Sequence, residues 1–131
     1  MRFRGSLAVL VVGLALLPFL AVQVSVASGP CTGLSVPLTP YSSEQITVSS
    51  TAVALSSAAY MSGGRPPLMA VANVKDYPVV YDDAAVPTAT VGTTAHATAI
   101  LVICGQSIGR VQFIREGASD ARLFIRYYRG P

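Results

Sequence analysis

Hydrophobic and polar residues alternate most clearly at the end of the chain. In Ala121–Arg129 (ARLFIRYYR), Ala121, Leu123, Ile125 and Tyr127 fall on one side of an extended backbone. Arg122, Phe124, Arg126 and Tyr128 fall on the other. A period of two with charge on one side predicts a half-buried β-strand. Ile108–Arg115 (IGRVQFIR) is a second strand-like run, and the intervening Glu116–Asp120 (EGASD) is polar and holds a glycine. Two β-rich runs joined by such a loop predict a C-terminal hairpin. Upstream, Thr94–Cys104 leads from small residues into Ala99–Cys104 (AILVIC), which is uncharged, β-prone and free of proline. Exposed, that run is an aggregation hazard; buried, it is the natural central strand.

The middle of the chain is patterned more weakly. Ile46-Thr47-Val48 begins a strand, after which the apolar parity moves to Val53 and Leu55. A shift by one predicts a bulge or break. Ala52–Ala59 is rich in alanine, but its interspersed Ser and Thr favour turns and strands over helix. Met61–Pro67 (MSGGRPP) predicts a loop. Leu68–Val74 predicts a strand with Met69 and Val71 on one face, Lys75–Tyr77 a turn, and Val79-Val80-Tyr81 a short strand. Asp82–Thr93, with Pro87 and Gly92, predicts a connection. Beyond the N-terminal segment, no stretch sustains the spacing of an amphipathic helix. The fold class expected is all-β: a small antiparallel β-sandwich or barrel-like domain.

The N-terminal segment changes how composition is read. Arg2 and Arg4 precede an apolar run from Leu7 to Leu20, and Ser25 and Ala27 put small residues at positions −3 and −1 of a cleavage site. Together they describe a secretory signal peptide ending at Ala27. Two alternatives stand beside it. The run, about 20 residues with its extension to Val26, is long enough to stay as a membrane anchor. Otherwise the true start lies downstream of it. The organisation expected is therefore a leader over 1–27, a Pro/Gly-rich extended linker over 28–43, and a single β domain over 44–131. The leader inflates the hydrophobic fraction of 52%. It also holds two of the nine basic residues, leaving seven against six acidic ones. A near-neutral domain gives no argument for nucleic-acid binding, and membrane contact is expected only if the leader is retained. In an exported chain, Cys31 and Cys104 predict one disulfide. In a reducing compartment they are two free thiols.

Residues that carry chemistry are sparse. His96 is the only histidine, and a zinc site needs three or four ligands at workable spacing. No serine sits in a G-x-S-x-G turn. The adjacent Asp82 and Asp83 read as turn residues that cap backbone amides. Asn73 is followed by Val-Lys, which is no glycosylation sequon, and Gly63-Gly64 and Gly105 lie in no phosphate-binding pattern. The expectation is a non-enzymatic protein with no cofactor, no metal site and no small-molecule substrate. Its candidate binding surface is the C-terminal hairpin: Arg122, Arg126, Tyr127, Tyr128 and Arg129, an aromatic and basic group of the kind that anchors interfaces. The same arginines also suit a solvated sheet face, where charge discourages pairing with other chains.

Three stretches in order carry a resemblance: Ile46–Tyr60, Tyr77–Gly92 and Val111–Arg129. Within them, Val48–Leu55 (VSSTAVAL), Tyr81–Gly92 with its PTATVG ending, and Phe113–Tyr127 with GASDARL resemble a group of small proteins encoded among the head and tail structural genes of tailed phages and prophages. The resemblance implies a compact β domain in a virion, as a capsid decoration, head–tail completion or fibre-associated subunit, with other protein subunits or further copies of itself as partners. It implies no catalysis. This chain departs from the group in its leader and its paired cysteines, because virion proteins assemble in the cytoplasm and need neither. Either the chain begins after the apolar run and belongs in a virion, or the domain is reused outside the cell as an exported bacterial binding or adhesion module with one disulfide.

Overall fold

The computed structural model describes the backbone of residues 24–26 and the whole of residues 31 and 36–131. The leader expectation lies outside the described residues except at Val24–Val26. Nine strands and two single-turn helices are described. In chain order they are β1 (Val24–Val26), β2 (Thr39–Val48), β3 (Val53–Ala54), α1 (Ser57–Tyr60), β4 (Met69–Lys75), β5 (Val79–Asp82), β6 (Thr93–Ala95), β7 (Ile100–Cys104), α2 (Gly105–Ile108), β8 (Gln112–Arg115) and β9 (Ala121–Arg129). They form two sheets that share one core, an all-β sandwich as expected. The first sheet has the order β1-β7-β4-β9-β2 and the second β3-β8-β5-β6. Every pairing is antiparallel except β1 on β7, which is parallel.

The core of the first sheet follows from the alternation. Ala121, Leu123, Ile125 and Tyr127 of β9 are all fully buried, as are Ala70 and Ala72 of β4 and Leu101 and Ile103 of β7. Ladder register places Ala70 between Ile103 and Tyr127, and Ala72 between Leu101 and Ile125. Small residues on the middle strand flanked by large ones give interdigitated rows, which is how a thin core reaches solid-like density. From the opposite sheet, Val79, Tyr81 and Phe113 complete it. The Tyr81 and Phe113 rings lie 6.2 Å apart, tilted by 40°, within the range of favourable aromatic pairs.

The expected C-terminal hairpin does not form. β8 pairs with β3 and β5 in the second sheet, while β9 pairs with β2 and β4 in the first. The loop Glu116–Asp120 is an arch between sheets. It is held by an ion pair from Arg115 to Asp120 at 2.6 Å and by the Glu116 N–H donating to the Pro78 carbonyl. Each strand thereby buries its own apolar side without sharing a ladder with its neighbour in sequence. The parity shift between Val48 and Val53 has the same origin: there the chain crosses from the first sheet to the second. Another crossing divides the run ending at Cys104 into β6 and β7. Its turn holds Thr98 at a φ of 70°.

Further differences are local. Ser57–Tyr60 is one turn of helix where turns and strands were expected, and Gly105–Ile108 is another, so Ile108 fills the core from a helix rather than a strand. β2 starts at Thr39, inside the stretch expected to be linker. Pro40 fits because β2 is an edge strand, with a register shift between Pro40 and Ser42; edges and bulges are where a strand tolerates proline. The connection from β5 to β6 folds back over the outer side of the second sheet, where it buries Val80. Gly92 makes this close approach possible. Its φ is 134°, and a Cβ there would stand 2.6 Å from Val80 Cγ1 and 3.0 Å from the Tyr81 carbonyl oxygen. Gly92→Ala is therefore expected to cost about 1–3 kcal/mol through overpacking and backbone strain, read as a lower urea midpoint at unchanged m.

Cys31 and Cys104 form a disulfide with their Cα atoms 5.3 Å apart. It fastens the segment before β2 to the end of β7. Among the described residues no helix is long and apolar enough to cross a membrane.

Candidate interface on the outer face of the first sheet

β9 lies in the interior of its sheet, so its outward side chains sit on a broad face rather than on a protruding hairpin. Arg122, Phe124, Arg126 and Tyr128 point out, with the two arginines exposed and the two aromatics half-buried. Register extends this row across two neighbouring strands. Phe124 stands beside Asn73 and then Ile100, Arg126 beside Val71 and then Val102, and Tyr128 beside Met69 and then Cys104. Met69, Val71, Ile100 and Val102 are half-buried. The outer face thus carries an apolar field on three adjacent strands. An antiparallel sheet with one free face ordinarily presents polar residues there.

The arginines differ in what they have left to offer. Arg122 is clamped to Asp76 by two hydrogen bonds, Nε to Oδ2 at 2.6 Å and Nη2 to Oδ1 at 3.1 Å. Hydrogen bonding from Arg122 holds the Asp76 carboxyl below its usual range, against the opposing effect of desolvation, and the same bond raises the pKa of Arg122. Asp76 has a φ of 64°, so the tight turn after β4 aims its carboxylate at this partner. Arg126 lies 5.9 Å from the centroid of the Phe124 ring, a cation–π placement that leaves the guanidinium edges exposed. Tyr128 supplies an aromatic at the other end of the row.

Two of the expected interface residues belong elsewhere. Tyr127 is fully buried. Its hydroxyl donates to Glu44 Oε1, whose same oxygen accepts the Ser56 N–H at 3.0 Å. Burial first, and then the Glu44 carboxylate, raise the phenol's pKa well above its ordinary value. Tyr60 packs on it at 6.0 Å, and the Tyr41 hydroxyl donates to the Tyr60 carbonyl. Arg129 also follows the inward parity. Its guanidinium lies 3.5 Å over the Tyr41 ring and donates from Nη2 to the carbonyls of Ser62 at 2.6 Å and Arg65 at 3.3 Å. These residues clasp α1 and the loop after it to the sheet edge. Tyr127 and Arg129 are thus structural, and the outward group is Arg122, Arg126 and Tyr128. Phe124, Met69, Val71, Ile100 and Val102 join them. Parity marked Phe124, Met69 and Val71, but only strand order brings the three strands together.

The remaining candidates are also accounted for. Asp82 Oδ1 accepts the N–H groups of Ala84 at 2.7 Å and Ala85 at 3.2 Å, which lowers its pKa. This is the amide-capping role its turn predicts. Asp83 Oδ2 accepts the hydroxyl of the buried Ser107 at 2.6 Å. His96 is exposed in the turn between β6 and β7. Among the described residues, no three His, Cys, Asp or Glu side chains converge on a point that would hold a metal ion. A shallow cavity of about 350 Å³ opens beside Val36, Arg65, Leu68, Arg129 and Pro131, at the end of the molecule that carries the Arg129 clasp. No family model, curated protein or solved structure matches this chain.

Proposed function

We propose that this chain is a non-enzymatic structural or assembly subunit that binds neighbouring protein subunits through the outer face of its first sheet. One observation carries the reading: Met69, Val71, Ile100, Val102, Phe124 and Tyr128 form one contiguous, half-buried apolar field with Arg122 and Arg126 within and beside it. Apolar fields with aromatic and arginine anchors are what protein interfaces bury. The resemblance to small virion proteins of tailed phages supports the same reading, with capsid decoration, head–tail completion and fibre attachment as the roles it suggests. The Cys31–Cys104 disulfide favours a second setting for the same surface, an exported binding or adhesion module.

Sedimentation velocity on a concentration series tests this. The wild-type chain is expected to self-associate. Arg126→Ala combined with Tyr128→Ala is expected to weaken association at least tenfold, the scale of one or two interface anchors, with the melting temperature nearly unchanged. Normal association of the double variant would remove this face from the argument. A strictly monomeric wild type at high concentration would overturn self-assembly and leave the exported binding module as the better reading.

A further inference from the structure

The outer edge of β7 is occupied by β1, through a short pairing. β1 is three residues long, with Val24 opposite Ile100, Ser25 opposite Leu101 and Val26 opposite Val102. It is the only parallel pair among the described strands, and parallel pairs are slightly less stable per residue than antiparallel ones. The strand beneath it has none of the usual edge defences. β7 contains no charge, no proline and no register shift, and it presents Ile-Leu-Val-Ile-Cys. The opposite edge of the same sheet, β2, is blunted by Pro40 and a bulge. An unguarded apolar edge is a template for another strand.

The position of β1 in the sequence bears on how it could be lost. The expected leader cleavage after Ala27 falls one residue beyond β1, and a start downstream of the apolar run would also omit it. Either event removes the strand that pairs with Ile100–Val102. We propose that the β7 edge is a strand-acceptor site: β1 is its exchangeable occupant, and when β1 is absent an extended segment of a neighbouring subunit takes its place. The segment added is parallel to β7 and carries the valine–small polar–valine alternation that β1 displays. Main-chain hydrogen bonds to β7 provide the affinity, as in other cases of strand addition. This site is the main-chain edge of β7 and does not depend on the outer face described above, although Ile100 and Val102 belong to both.

The test uses the full chain. Ser25→Pro in one variant, and Val24→Pro with Val26→Pro in another, between them remove every N–H of β1 without shortening the protein. A fluorescently labelled peptide of residues 21–27 is the probe, and its anisotropy reports binding. At least one proline variant is expected to bind the peptide tenfold or more tightly than the wild type does, and peptide with valines 22, 24 and 26 changed to proline is expected not to bind. Equal binding by wild type and variants, or binding by none, would overturn the proposal. Loss of the thermal transition in both variants would overturn it too, because β1 would then be an obligatory strand. Since Arg126 and Tyr128 are intact throughout, these outcomes leave the assembly reading to be judged by its own experiment.

Discussion

Replacing Cys31 and Cys104 together by alanine is expected to lower stability by about 4 kcal/mol and the melting temperature by roughly 15–30 °C. The cross-link joins residues 73 apart in sequence. Chain-entropy arguments give that cost for opening a loop of this size. For a domain whose total stability is about 5–15 kcal/mol, the loss is roughly a quarter or more of the whole. The position of the bond matters as well as its length. It lies at the end of β7, where Cys104 is buried and points to the outer side of the sheet. Without it, nothing covalent ties the segment before β2 to that end of the molecule. Denaturation with and without reductant measures the effect directly. A shift below about 1 kcal/mol would mean that the unfolded chain gains little freedom when the loop opens.

The second large effect is expected at Phe113. Phe113→Ala is expected to cost about 3–5 kcal/mol, the range for an aromatic removed from a packed interior. Phe113 is fully buried on β8, in register with Val53 on one side and Tyr81 on the other. Ala70 and Ala72, on the middle strand of the opposite sheet and in the same core, carry only a methyl group and cannot extend to fill the space. Ile114→Ala, one residue along and on the outer side of the same strand, is the control. Ile114 is half-buried, and its loss is expected to cost about 1 kcal/mol. Urea unfolding of the two variants at matched m-values compares them. Equal costs would mean that the two sheets do not close on Phe113.

What the sequence made legible was local. The alternation in β9 places four residues inside and four outside, and the structure has them there. The parity change after Val48 is visible as a break. The destination of the chain after each break is not visible, because pairing is decided by partners far away in sequence. Glu116–Asp120 suits a hairpin and an inter-sheet arch equally, since both need only a short polar loop with a glycine. The single turns at Ser57–Tyr60 and Gly105–Ile108 are shorter than any period that could announce them. The candidate surface divides in the same way. Arg122, Arg126 and Tyr128 were identifiable from charge, aromaticity and parity. Tyr127 and Arg129 carry the same chemistry at the inward parity, so composition suggested an interface where alternation already placed them inside. Ile100 and Val102 could join the surface only once β7 was known to lie beside β4 and β4 beside β9.

The order of strands has a consequence for how the protein is made. β9 is synthesised last, yet it lies between β4 and β2 and pairs with both. While a ribosome is still translating the chain, β2 has no partner in its sheet, and one side of β4 is open. Of the strands already emerged, only β5 and β6 are both sequence neighbours and ladder neighbours. Non-local pairing of this kind slows folding and leaves apolar strands uncovered meanwhile. Ala99–Cys104 has emerged by then and needs protection by a chaperone or by speed. Folding of the first sheet thus waits on the arrival of its last nine residues, and a message cut short before Ala121 yields a chain that cannot close.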